Sequence, residues 1–434
     1  MQVSVEARQH AQALLDFIDQ SPSPWHAVDT AANQLKAHGF KNLRENEPWQ
    51  FKAGGKYFVV RDGGSIIAFV LGQRPLVESG LRIVGAHTDS PGLRLKPQAA
   101  YATEGLAQLG VEVYGGPILA TFTDRDLSLA GRVVLHSEEG VQTRLVRLDQ
   151  SIARLPNLAI HMNREVNEKG LVLNKQTGLP LIFGHAANTA EAKQQLTATL
   201  AGKLAVPTEA ITGWDLAFYD TQRGSFWGMA QEFIANSQLD NLASCHAALE
   251  AITQVEKPQS TLICALFDHE EVGSESATGA GGSFLIDVIN RLCLSSGLSQ
   301  EDKLRSFANS FFISADMAHA FHPNHAGSYE PCHHVQINQG PVIKTNANQR
   351  YSTNAVTAAR FMQLCALAKV PHQQYAHRTD LGCGSTIGPI MAAQLGIATV
   401  DVGNPMWAMH SLRESAGVLD HSYMIATLIQ HYAS

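Results

Sequence analysis

The chain has 434 residues, 45% of them apolar and 16% charged, with a net charge of -7. Domains run to ~100–200 residues, so this length predicts two or three of them with ample core. The acidic balance argues against a nucleic-acid partner, which selects basic faces.

No cationic segment followed by an apolar stretch opens the chain, so no secretory leader is expected. The opening VSVEARQHAQALLDFI reads as an amphipathic helix. Apolar strands follow within residues 1–96: KYFVV, SIIAFVL and LRIVGA. Residues 97–235 have a different texture. There VEVYG, RVVLH, TRLVRL, LAIHM, LVLN, LPLIF and DLAFY have strand character and are separated by Gly, Pro and Asn. One helical stretch, AEAKQQLTATLAGKL, interrupts them. From 236 to 434 helical patterns such as DNLASCHAALEAI alternate with the apolar strands TLICALF, FFISA and IATVDV.

Fully apolar strands alternating with helices predict a mixed sheet covered by helices on both faces. The expectation is an α/β domain made of residues 1–96 and 236–434, with a β-rich domain, 97–235, inserted between them. No apolar run approaches the ~20 residues of a membrane span, so no membrane partner is expected. Cysteines at 245, 264, 293, 332, 365 and 383 form no C-x-x-C pair, which points to reduced thiols and a cytoplasmic location. GSESATGAGGSF lacks phosphate-loop spacing and reads as a flexible active-site turn.

Metal-binding residue types gather where the apolar strands end. LRIVGA runs into His87-Thr88-Asp89, TLICALF into Asp268-His269-Glu270-Glu271, and FFISA into Asp316. IATVDV leads through GNPMWAMH to His410, and Asp240 opens a helix pattern. Ligands of open α/β sheets bind beyond the carboxyl ends of the strands. Taken singly, Asp240 reads as a helix cap, Asp316 and Glu271 as solvated loop acids, and the histidines as core residues. Together, two histidines and three carboxylates are the donors zinc takes, with manganese or cobalt as substitutes. Five ligands imply two metals sharing a bridging carboxylate, and the bound water then needs a base. If the segment is extended, Glu270 and Glu271 point oppositely, one as ligand and one as base. Asp89 is placed to fix the tautomer of His87.

The motifs GAHTDSPGLRLKP, DRDLSLAGRV, PNLAIHMNR, LDNLASC, FDHEEVGS, SADMAHAFHPNH, IKTNANQRYSTNA, GSTIGPI and AMHSLRE resemble the aspartyl aminopeptidase family. The resemblance runs in order along nearly the whole chain. It implies two Zn2+ per subunit, with His87, Asp240, Glu271, Asp316 and His410 as ligands. It makes Asp240 the bridging carboxylate and Glu270 the general base. Lys344 and Tyr351 match positions that contact substrate, and a lysine suits an acidic N-terminal side chain. His161 matches a histidine that reaches into a neighbouring subunit's site. The implied architecture is a metallopeptidase-type α/β domain with an inserted β-rich dimerisation domain, and dimers built into a dodecamer. The implied function is removal of N-terminal Asp or Glu from peptides. A neutral aminopeptidase or an amide deacylase on the same two-metal core, or a non-catalytic shell protein, are the alternatives. The further histidines of AHAFHPNH and CHH read as loop residues or supports of the ligands.

Overall fold

The computed structural model describes residues 3–138 and 140–434. They divide into two compact units. The larger holds the residues up to Asp89, Gly224–Met409 and Glu414–Ser434. The second holds Ser90–Arg223 and His410–Arg413.

A nine-stranded mixed sheet spans the larger unit, in the order Lys41–Leu43, Lys56–Arg61, Ser65–Val70, Thr261–Phe267, Leu81–His87, Phe311–Ala315, Ala398–Gly403, Val342–Thr345, Gln373–Ala376. The four strands from Thr261–Phe267 to Ala398–Gly403 run parallel. Their continuous apolar runs follow from burial on both faces. Side chains alternate between faces with period two. Val84, Ala86, Cys264, Leu266, Phe311 and Ile313 therefore enter one core, with Leu14, Leu242, Phe361 and Met424 of the covering helices. Leu81, Ile83, Ile263, Ala265 and Phe312 enter the other, against Phe284, Val288 and Met391.

Helix starts are chemically marked. Ser23 accepts from the His26 amide ahead of Pro24–Ala37, and Asn354 accepts from Val356 and Thr357 ahead of Ala355–Ala368. Such caps satisfy amides that lack helical partners. A separate five-stranded sheet joins Ser225–Trp227, Phe233–Asn236, Glu414–Gly417, Pro405–Trp407 and Ala318–His319.

The second unit is a six-stranded antiparallel sheet, ordered Gly140–Arg147, Leu127–Ser137, Ile211–Asp220, Gly92–Thr103, Leu106–Tyr114, Leu181–His185. The helix Thr189–Leu204 lays Ala192, Leu196, Leu200 and Leu204 onto that unit's core. Their spacing of four places them on one helical face. Two expected strands are not strands. LAIHM passes through a turn and LVLN has no regular structure. LAIHM is exposed throughout; in LVLN only Leu173 packs partly buried against the unit's core, while Val172 is exposed. Among the described residues, no helix is long and apolar enough to cross a membrane.

Candidate metal centre

Sheet register brings the acidic and imidazole side chains to one edge. Phe267 pairs with His87, so Asp268 and the following glutamates leave the sheet beside His87. Ser314 pairs with Gly85, which sets Asp316 level with His87. The Asp316 amide donates to the Val402 carbonyl at 2.8 Å. A Cβ on Gly403 would overlap the Asp316 carbonyl, so only glycine lets the two backbones close here.

Asp240 is the second residue of the helix Leu239–Gln254, and its peptide bond to Asn241 is cis. The cap position is Gln238, so Asp240 is not the helix cap that its type alone would predict. Two contacts fix this segment. Glu414 Oε2 accepts from the Asp240 amide at 3.0 Å, and Asn241 Nδ2 donates to the Ala315 carbonyl at 2.8 Å. Glu414 closes the AMHSLRE motif, but its residue type and spacing gave it no role in the sequence. Its signal was a carboxylate inside a short strand with buried neighbours.

His87 stands at the centre of the group. Its Nε2 lies 3.5 Å from Asp240 Oδ1 and 3.8 Å from Asp316 Oδ1. Its Nδ1 lies 3.0 Å from the Asp89 carbonyl oxygen. A carbonyl only accepts, so Nδ1 carries a hydrogen, and Nε2, turned to the acids, is the nitrogen whose lone pair a metal would take. His87, Asp240 and Asp316 each offer one ligand atom, all within 4.8 Å of one another, and His87, Glu270 and Glu271 form a second such group. One imidazole nitrogen among carboxylate oxygens is a donor set that fits zinc. Among the described residues, no such group includes a histidine of AHAFHPNH or CHH.

The glutamate pair departs from the expected extended geometry. Glu270–Val272 form a single 3-10 turn, entered through His269 in the left-handed region at φ 65. The two side chains are separated by a turn rather than by a pleat. Asp89 sets this turn. Its Oδ1 accepts from the Glu270 amide and its Oδ2 from the Glu271 amide, each at 3.1 Å. The Asp89 carboxylate, 3.5 Å from His87 Nδ1, thus grips the glutamate backbone, and its own carbonyl orients the imidazole.

Burial pushes the Glu270 carboxyl up to about 8; His87 opposes that shift, while Asp316, Glu271 and Asp89 add to it. Burial disfavours a charged His87, yet Asp240, Asp316 and Asp89 together hold its pKa well above the usual value. Acids crowded this closely are what a divalent cation relieves.

Lys344 is no surface lysine. It is 3% exposed, donates to the Met317 carbonyl at 3.1 Å and stands 3.6 Å from Asp316 Oδ2. Its Nζ lies 5.1 Å from the centre of the buried Tyr351 ring. His410 belongs to the second unit, where its Nδ1 lies 3.1 Å from the Gly116 carbonyl oxygen. The same reasoning leaves its Nε2 with a lone pair. His161 lies on an exposed turn, not in a strand.

The family described as "Aminopeptidase I zinc metalloprotease (M18)" matches residues 17–432. A probable M18 family aminopeptidase 2 of Ectopseudomonas mendocina is 48% identical over 425 residues, 98% of each chain. The chain belongs to the M18 family of zinc aminopeptidases. Its activity class is therefore that of a metallo-aminopeptidase, a hydrolase. Among solved M18 relatives, a chain of the Ape4 and Nbr1 complex superposes with a TM-score of 0.96 at 37% identity, covering 100% of this chain and 88% of that one. The S. cerevisiae mApe1 dodecamer gives 0.84 at 28%, covering 97% and 95%. The mixed α/β fold with helices on both sheet faces is the fold of these M18 enzymes.

Proposed function

We propose that this M18 enzyme removes N-terminal Asp or Glu from peptides at a centre of two zinc ions. The ligands would be His87 and Asp316 on one ion, Glu271 and His410 on the other, with Asp240 bridging. The observation that carries this reading is the meeting of two ligand groups at one sheet edge, His87 with Asp240 and Asp316, and His87 with Glu270 and Glu271. Bound zinc supplies a Lewis acid for the scissile carbonyl and lowers the pKa of water.

The remaining steps belong to the chain. Glu270 takes a proton from the attacking water and passes it to the leaving amine. Asp89 keeps the Glu270 and Glu271 amides fixed, so base and ligand hold their spacing. Lys344 lies against Asp316 and limits the repulsion among the acids. Tyr351, packed under that ammonium, forms the wall met by substrate.

The second unit is read as the dimerisation domain. His161 sits on an exposed turn with Leu158, Ile160 and Met162 also exposed, which suits a segment that seats on a neighbouring subunit. The dodecamer of S. cerevisiae mApe1 supports the same assembly here, built from dimers. A cytoplasmic location agrees with six unpaired cysteines.

Glu270→Gln tests the mechanism. Loss of a general base lowers rate roughly 10²–10⁴-fold. Turnover should fall that far while zinc per chain, measured by elemental analysis, stays unchanged. Near-normal turnover would remove Glu270 from the base role. Zinc at one ion or fewer per chain would remove the paired centre.

A further inference from the structure

Of the four parallel strands of the larger sheet, only Ala398–Gly403 carries a carboxylate within its length, Asp401. That side chain is wholly buried. A buried carboxylate is costly unless donors replace its water, and an apolar side chain would meet no such cost. Three neutral donors supply the replacement. The Ser352 amide and hydroxyl both reach Oδ2 at 2.6 Å, and the Thr386 hydroxyl reaches Oδ1 at 2.5 Å. A Cβ on Gly388 would lie 2.3 Å from each carboxylate oxygen, so only glycine lets the helix Ile387–Leu395 start this close.

The tether bears on the residue before Ser352. Val342–Thr345 pairs antiparallel with Ala398–Gly403 through Val342 with Gly403 and Ile343 with Val402. Opposite residues share a sheet face, and faces alternate along each strand. Lys344 and Asp401 therefore lie on the same face. Beyond that pairing the Asp401 amide donates to Thr353 Oγ1 at 2.9 Å. Asp401 thus grips Ser352 by its carboxylate and Thr353 by its amide, immediately after Tyr351. The Tyr351 ring lies under the Lys344 ammonium, and Lys344 stands 3.6 Å from Asp316 Oδ2. Before Tyr351 the loop leans on exposed contacts. Arg350 Nε donates to the Cys383 carbonyl, and the Ser385 hydroxyl to the Arg350 carbonyl, each at 3.1 Å. Water competes for such bonds, whereas the buried grip of Asp401 is costly to break.

We propose that Asp401 is the positioning residue of Tyr351: by holding Ser352 and Thr353 it keeps the tyrosine ring against Lys344, at the wall that substrate meets. The inference rests on the reading of Tyr351 given above and extends it to a residue that touches neither substrate nor metal. Thr386 provides a control on the same carboxylate, because its bond ties down the start of the helix Ile387–Leu395 and not the tyrosine segment.

The test is a double-mutant cycle on kcat/KM for the zinc-loaded enzyme, with whichever of Glu-, Leu- and Ala-p-nitroanilide the wild type turns over fastest. That choice keeps the result independent of any acid preference. Tyr351→Leu and Asp401→Asn should each lower kcat/KM about tenfold or more, and the double variant should be no slower than Tyr351→Leu. Ser352→Ala keeps the amide donor and should lose about threefold, a loss that vanishes in the Tyr351→Leu background. It carries the test if Asp401→Asn does not fold. Thr386→Val should melt lower yet stay within about twofold of the wild-type kcat/KM. Zinc per chain should be unchanged throughout. Losses that multiply in the double variant, a Thr386→Val loss as large as that of Asp401→Asn, or zinc lost together with activity would show general loosening and overturn the assignment. Normal kcat/KM in Asp401→Asn would overturn it as well. Tyr351→Leu at the wild-type rate would instead remove Tyr351 from the substrate wall, and with it the reading on which the assignment rests.

Discussion

Asp89 shows how one buried carboxylate governs two neighbours. An aspartate two residues after a ligand histidine invites the reading that it orients the imidazole through its side chain. The backbone carbonyl lies nearer, at 3.0 Å from Nδ1 against 3.5 Å for the carboxylate, and the carboxylate also holds the amides of Glu270 and Glu271. Sequence spacing alone could not separate these roles, because the second depends on a turn contributed by a distant strand. Asp89→Asn keeps the shape but aims an amide N–H2 at one of the two N–H donors. An amide left without its acceptor costs about 1–3 kcal/mol. If the base loses its position by that much, kcat should fall roughly 5- to 150-fold with zinc content unchanged. Stopped assays beside elemental analysis would read both, and an unaltered kcat would free Glu270 from dependence on Asp89. Lys344 teaches the converse lesson. Its position in KTNANQRY pointed to substrate, whereas its nearest charge is Asp316. No linear pattern could tell these apart.

At the level of elements, the strands of the larger sheet were legible because burial on both faces demands unbroken apolar runs. TLICALF, LRIVGA, FFISA and IATVDV needed no partner to be recognised. Register was not legible, yet it is what levels Asp316 with His87. Gly403 protects that register, and Gly403→Ala tests it. The added methyl meets the Asp316 backbone carbonyl, which cannot rotate away. Overpacking of this kind costs typically 1–3 kcal/mol. The variant should melt lower and bind less zinc, and full zinc retention would show that Asp316 does not depend on the close approach.

Helix packing carries its own pH dependence. His246 of Leu239–Gln254 and His421 of Val418–Ala433 lie with Nδ1 and Nε2 2.9 Å apart, both buried. Phe17 packs edge-on to His246, His10 adds a like charge, and Glu250 lies 3.8 Å from His246 Nε2. Burial, then His10, lowers His246 to about 3, and burial, then His246 and His10, lowers His421 well below its usual value. The folded chain thus keeps both neutral, whereas the unfolded chain protonates them below about 6.5. Stability from this pair is complete above that pH and is lost as pH falls toward the folded values. Each imidazole contributes a slope of about 1.4 kcal/mol per pH unit in that window. Replacing both with leucine should flatten the urea-midpoint profile between pH 4 and 6.5 by up to about two protons. An unchanged profile would mean that the pair already carries a proton when folded.

For the whole molecule, the α/β architecture followed from chain texture, but association could not. LAIHM looked like a strand because it is a short, mostly apolar segment bounded by Pro and Asn. It is instead an exposed turn, with Met162 at 76% exposure and Leu158 at 69%. That pattern makes sense if its cover comes from another subunit, and His161 would then complete a neighbour's site. Complementation between two damaged chains tests this directly. Glu270→Gln lacks the base but still donates His161. His161→Ala lacks the donated imidazole but keeps the base. Each homogeneous assembly should be nearly inactive. Subunits dissociated, mixed in equal amounts and reassembled would form hybrid dimers in half of all pairings. Each hybrid holds one site with both groups and one with neither, so about a quarter of sites should regain turnover. Activity that stays at the level of the separate variants after verified mixing would place His161 outside its neighbour's active site. Activity in His161→Ala alone would show that no imidazole is donated at all.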